Sequence, residues 1–158
     1  MEIRIGAGIN TGAVHVGNMG TKELLNYTCI GDEVNLASRL ESMCKYYGVS
    51  IVVSENCAKA CKNLEFRKLD RIRVKGKNTA ISIFTPICAD EKAICAKWEN
   101  ALGLYAKGDF STALREFESV KDEHSAYAFG CDVFISRIKD LIKAPPKEWN
   151  GVWNFDTK

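Results

Sequence analysis

The chain contains no run of eighteen apolar residues, and its start, Met1-Glu2-Ile3-Arg4, lacks the basic segment and apolar core of a secretion signal. Neither a membrane-spanning helix nor a targeting segment is therefore expected within it. It also lacks an excess of one charge. The 22 basic and 20 acidic side chains leave a net charge of +2, too little to hold nucleic acid or an anionic bilayer by field alone, so no nucleic-acid partner is expected. Paired-cysteine motifs are missing: Cys29, Cys44, Cys57, Cys61, Cys88, Cys95 and Cys131 are odd in number and irregularly spaced. That excludes a secreted disulfide framework and points to reduced thiols and a cytoplasmic location. His15 and His124 have no ligand-type neighbours at useful spacing, and Cys57 and Cys61, four apart, pack more often than they bind metal. No GK[ST] follows a spaced glycine, which excludes a Walker-type phosphate loop.

What is present suits a folded chain, since 158 residues with 46% hydrophobic content make one ordinary domain or two small units. Ile3 to Ile9 and Ala13 to Val16 read as two strands of a hairpin turning at Asn10, Thr11 and Gly12. A loop over residues 17–20 leads to a short extended piece ending near Ile30, where Gly31 and Asp32 stop it and cap a helix. From Asp32 to Tyr47, Val34, Ala37, Leu40, Met43 or Cys44, and Tyr47 recur every three to four positions, and Gly48 closes the helix. Ile51 to Val53 then reads as a buried strand, Ser54 caps a short helix with Ala58 and Cys61, and extended segments follow over 66–74 and 80–84. The fold class expected for residues 1–86 is α+β with a mixed or antiparallel sheet.

After Pro86 the strand signals stop. Residues from about Asp90 to Ile142 carry helical periodicity, and Ala101, Tyr105, Gly108-Asp109-Phe110, Ala113 and Phe117 resemble one tetratricopeptide unit, although Trp98 sits one place out of register. A third helix with Phe129, Val133, Phe134, Ile138, Leu141 and Ile142 is expected to cover its open face before Pro145 and Pro146 end it. The expected organisation is a first unit over 1–86, a helical hairpin plus one helix over 90–143, separable from the first unit yet expected to dock on it, on a second copy of itself or on a partner, and an aromatic tail over 144–158 too short to fold alone.

The candidate chemistry lies in Tyr27 to Arg39, YTCIGDEVNLASR, where Asn35 and Arg39 stand four apart on one helical face. Spacing alone favours a solvated polar face. With GINTGAVHVGNMG before it and Arg73-Val74-Lys75-Gly76-Lys77 after it, however, the run resembles the C-terminal half of a class III nucleotide cyclase catalytic domain, a ferredoxin-like fold, over roughly residues 3 to 85. The resemblance implies that Asn35 orients the ribose, Arg39 stabilises the transition state, Lys75 contacts the β- and γ-phosphates, and Thr28 helps read the purine, with threonine favouring ATP over GTP. Read without the family, Lys75 is more readily a solvated turn lysine, and Thr28 reads simply as a β-branched strand residue.

The same resemblance implies Mg²⁺ or Mn²⁺ as cofactor of a complete enzyme that forms cyclic AMP and pyrophosphate at the interface of a head-to-tail dimer. The aspartates that hold those ions in the family precede the segment equivalent to Ile3 and have no counterpart between Met1 and Ile9. Two expectations follow: no metal bound by this chain alone, and no cyclisation until a missing half or a second protomer supplies the ligands. The chain then reads as a fragment of an adenylate cyclase whose parent is either soluble or membrane-anchored, with a protein partner expected for the helical tail. The competing reading is a non-catalytic, cyclase-like dimerisation or protein-binding module.

Overall fold

The computed structural model describes residues 5–74 and 78–155. Three short strands open the chain: β1 (Ala7–Ile9), β2 (His15–Gly20) and β3 (Leu25–Ile30). Helix α1 (Asp32–Tyr47) leads to β4 (Ile51–Ser54), α2 (Glu55–Ala60), β5 (Glu65–Val74) and β6 (Ile81–Ile87). Beyond a single 3₁₀ turn come α3 (Lys92–Lys107), α4 (Phe110–Glu123), α5 (Ser125–Lys143) and a last strand, β7 (Trp153–Phe155). The main sheet is mixed, in the order β1-β4-β6-β5-β7, with β1 parallel to β4 and β7 parallel to β5 while the inner pairs are antiparallel. No described helix is long and apolar enough to cross a membrane.

The expected hairpin between Ile3–Ile9 and Ala13–Val16 does not form. β1 pairs with β4 instead, and the hairpin is β2 with β3, in register from His15↔Ile30 to Gly20↔Leu25. Its turn is closed between Thr21 and Leu24 by two backbone hydrogen bonds of 3.1 and 3.3 Å. Alternation marks a strand but does not name its neighbour. Asn10, expected as a turn residue, spends its side-chain amide on Glu33 at the start of α1. Gly8 lets β1 lie against that helix, because a Cβ there would strike the backbone of Ala37 and Glu41.

Helix α1 has the bounds expected of it, and Gly48 ends it in the left-handed conformation at φ 68°. Its buried stripe is Leu36, Leu40, Cys44 and Tyr47, rotated from the expected one: Val34, Ala37 and Met43 are only half-buried. A period of 3.6 fits either stripe, and the seat that the sheet offers to Leu36 decides between them.

The helical segment docks on the sheet, one of the three surfaces expected for it, and shares its core, so it does not stand as a separable unit. One cluster of buried side chains runs from Leu36, Leu40 and Tyr47 through Val52, Leu69 and Ile83 to Trp98, Phe117 and Phe134. Trp98 sits at the junction, fully buried, with its indole N–H donating to the Lys68 carbonyl of β5 at 2.7 Å. Around it stand Phe117, Tyr127 and Phe134, with centroids 5.3–5.9 Å away in edge-on geometry. Phe129 and Ile142, expected to cover the helical hairpin, are instead 55% and 46% exposed. The tail gains order by docking: the Trp149 indole donates to the Tyr105 carbonyl at 2.7 Å, and three residues later β7 joins the sheet beside β5.

Candidate functional site

Strand β3 runs into α1 through Gly31, whose carbonyl accepts the first helical bond from the Asn35 amide at 3.2 Å. No side chain caps this end, contrary to the expected capping by Asp32, which lies with Glu33 in the first turn, where acidic groups suit the helix dipole. Asn10 ties the start of the helix down, donating to the Glu33 carboxylate at 2.7 Å and to the Glu33 carbonyl at 3.1 Å.

Because Leu36, Leu40, Cys44 and Tyr47 face the core, Asn35 and Arg39 fall to one side of the buried stripe. Asn35 is exposed and Arg39 half-buried. Thr28 lies in β3, exposed, paired across the hairpin with Gly17. Lys75 follows the last residue of β5 and lies outside the described residues. Asn35 and Arg39 thus share one helical face, with Thr28 on the strand that feeds it. The cleft of about 230 Å³ lined by Asn10, Glu33, Ser54, Asn56 and Thr79 contains none of the three.

The other end of α1 is held by a buried polar cluster that sequence reasoning missed. Tyr47 donates to the Asp70 carboxylate of β5 at 2.6 Å, and Arg137 of α5 donates to the same oxygen at 2.6 Å and to the Tyr47 hydroxyl at 3.0 Å. All three are at most 3% exposed. Burial, and then the neighbouring Asp70, push the Tyr47 phenol well above its ordinary pKa, so it remains a donor. Burial opposes the charge on Arg137, but Tyr47 and Asp70 outweigh it and raise its pKa. Tyr46 accepts a further bond from Arg137 Nε at 3.3 Å. The available signal was a charged residue between Phe134 and Ile138 on the apolar face of a helix.

Among the described residues no group of three or more His, Cys, Asp or Glu side chains could hold a metal ion. The two-metal centre of a cyclase does not fit these residues, and no chemical step is assigned to it here.

The sequence profile of the family described as "Adenylate and Guanylate cyclase catalytic domain" matches residues 1–86. Adenylate cyclase 1 of Rhizobium meliloti (strain 1021) is 46% identical over 84 residues, covering 52% of this chain and 13% of that protein. The adenylate cyclase of Anabaena cylindrica is 40% identical over 87 residues, 52% of this chain and 17% of that protein. The terminal-differentiation specific adenylate cyclase of Dictyostelium discoideum is 32% identical over 128 residues, 74% of this chain and 6% of that protein. This last match is longer than the 86 residues of the family match, so it runs into the helical segment. Among solved structures, adenylyl cyclase CyaB from P. aeruginosa is 38% identical over 52% of this chain and 41% of that chain, with a TM-score of 0.46. The chain thus spans 6% to 17% of the length of these curated relatives.

Proposed function

Because the chain belongs to the adenylate and guanylate cyclase catalytic domain family, we propose that it carries the ribose- and transition-state-binding half of an adenylate cyclase site. The observation that carries this reading is the shared face of Asn35 and Arg39 on α1, turned away from the core and inside the segment matched to the family.

In the proposed reaction the ribose 3'-hydroxyl attacks the α-phosphate of ATP, and cyclic AMP and pyrophosphate result. The amide of Asn35 both donates and accepts, so it holds the ribose without adding charge. The planar guanidinium of Arg39 offers forked donors to the oxygens around phosphorus, where charge grows in the transition state. Thr28 accepts from the adenine amino group, and Lys75 meets the β- and γ-phosphates as a point charge. Holding the 3'-oxygen in line with phosphorus lowers the barrier by several kcal/mol, on the order of 7 or more in well-oriented intramolecular reactions.

The exposure of Thr28 and Asn35 supports a site completed by a second surface, in a head-to-tail pair with a cyclase half that brings the Mg²⁺ or Mn²⁺ ligands. The chain alone is then inactive, and its place is intracellular, where ATP is abundant. The α3–α4 pair reads as a tetratricopeptide-like hairpin that adds a protein contact. A second reading, a cyclase-like dimerisation module without chemistry, is favoured by the β2–β3 hairpin, whose Val16, Leu25, Tyr27 and Ile30 are 49–76% exposed.

The test is complementation. The chain is mixed with a bacterial adenylate cyclase domain that keeps its metal-binding aspartates but has lost its own transition-state arginine. Cyclic AMP is expected from the mixture and from neither component, and Arg39→Ala is expected to abolish turnover while leaving ATP binding nearly intact. Lys75→Ala is expected to weaken ATP binding more than Arg39→Ala does. Association without turnover supports the module reading, and the absence of both overturns both readings.

A further inference from the structure

The helix that presents Asn35 and Arg39 is seated on the sheet by Leu36, Leu40, Cys44 and Tyr47. Apolar seating picks the stripe that faces the sheet, but it is non-directional, and fine rotation and axial position are set more sharply by hydrogen bonds. Hydrogen bonds supply direction, and beside the weak ones from the Cys44 thiol to the Ala7 and Ser50 carbonyls, α1 has strong ones at its two ends. At the first, Asn10 holds Glu33. At the second, Arg137 bonds Tyr46, Tyr47 and Asp70 at once.

Arg137 does not belong to the part of the chain matched to the cyclase family. It comes from α5, and its partner Asp70 lies 67 residues away in β5. The C-terminal strand encloses it as well: the guanidinium lies 4.3 Å from the Trp153 ring and 5.7 Å from the Phe155 ring, and Phe155 meets Tyr46 edge-on at 5.0 Å. One buried charge thus joins α1, β5, α5 and β7.

We propose that Arg137, in the helical segment, is a positioning residue for the site on α1: by fixing Tyr47 against Asp70 it sets the rotation and axial position of the helix, and through the helix it sets where Asn35 and Arg39 stand. The proposal rests on the reading of those two residues given above. An α-helix rises about 1.5 Å per residue, so Arg39 and Asn35 lie about 12 and 18 Å from Tyr47 along a stiff rod, and a rotation at one end reaches the other undiminished. Misplacement of reacting groups by about 1 Å costs up to 10²-fold in rate. The similarity to the Dictyostelium relative covers 74% of this chain and so runs past residue 86.

The experiment must separate positioning from mere stability. Replacing a buried ion pair by two apolar residues commonly restores stability, so the full chain carrying Asp70→Leu with Arg137→Met is compared with the native chain in the complementation assay above. The expected result is a thermal midpoint close to native, kcat lowered by roughly tenfold and KM for ATP little changed. A kcat that returns with the midpoint would overturn the proposal, because a purely structural role predicts that. Tyr47→Phe, which keeps the ring and the ion pair, provides a second variant should the double one not fold; a fall in kcat of about threefold is expected on the same argument, and an unchanged kcat counts against the proposal. If the native chain itself supports no turnover, the reading of Asn35 and Arg39 fails. The coupling is then read by amide hydrogen exchange over residues 35–47 of Tyr47→Phe, where faster exchange supports it and unchanged protection overturns it.

Discussion

Two arginines leave water here by different routes. Arg67, 4% exposed, lies over the Tyr127 ring at 3.7 Å and the Trp98 ring at 4.6 Å, and its Nε and Nη1 have no hydrogen-bond partner. Burial lowers its pKa. Arg137 is paired with Asp70. Removing them should therefore differ: Arg67→Met is expected to change stability by less than about 1 kcal/mol, whereas Arg137→Met leaves Asp70 buried and unpaired and should cost about 3–5 kcal/mol. Urea titration of both variants checks the contrast. Burial also pushes Cys131 up from 9.0 to about 12 and Tyr127 up from 10.0 to about 12. Both are neutral when folded over a range where the unfolded chain has begun to lose protons, so their contribution to stability is intact below pH 9 and is lost between about pH 9 and 12. Denaturant midpoints at pH 8 and pH 11 should show the fall, and a flat profile would refute it. Sequence periodicity places Arg137 on an apolar helix face, but nothing local could name a partner 67 residues away.

Elements were legible where a period and a punctuating residue agreed. Helix α1 is such a case, with Gly48 ending it as expected. The expectation failed at the hairpin because alternation does not name a partner, and β1 lies beside β4 where Gly8 permits close approach to α1. This requirement gives a test. Gly8→Ala would drive a Cβ into the backbone of Ala37 and Glu41, and a loss of about 3 kcal/mol is expected. At Gly48 the obstacle is partly a side chain, since an added Cβ would lie 2.6 Å from the Phe129 ring. Gly48→Ala should then be less harmful when combined with Phe129→Ala, leaving only the left-handed backbone strain of about 1 kcal/mol. Additive losses in that double-mutant cycle would show that the ring yields freely. The roles of Thr28, Asn35, Arg39 and Lys75 were readable only by likeness to a family, because an exposed asparagine and arginine have no periodic signature of function.

At the scale of the molecule, helices after Pro86 were visible in the sequence, and so was their need of a docking surface, but not which surface that is. The contacts that fuse the parts, such as Trp98 on the Lys68 carbonyl, link residues 30 apart or more. A three-residue strand like β7 is too short for any period to show. A continuous core predicts one cooperative transition. Fluorescence of Trp98, Trp149 and Trp153, all in the helical part and tail, should melt together with amide protection of Val52 and Val53 in β4. Two separated transitions would contradict a shared core.

The parallel pairing of β7 with β5 has a consequence for the chain while it is being made. Arg73 and Asn154, joined by a 3.2 Å hydrogen bond, are 81 residues apart. At about 5–20 residues per second, the outer edge of β5 waits roughly 4 to 16 s for its neighbour to leave the ribosome. An unpaired edge invites pairing with other chains, and Lys and Arg side chains along it discourage this. β5 reads Glu-Phe-Arg-Lys-Leu-Asp-Arg-Ile-Arg-Val, with four basic residues in ten. Near its end, where β7 covers it from Ile72 to Val74, the charges of Arg71 and Arg73 therefore have a use earlier, as guards of a nascent edge, and neutralising Arg71 and Arg73 should raise aggregation during translation more than it lowers the stability of the folded chain.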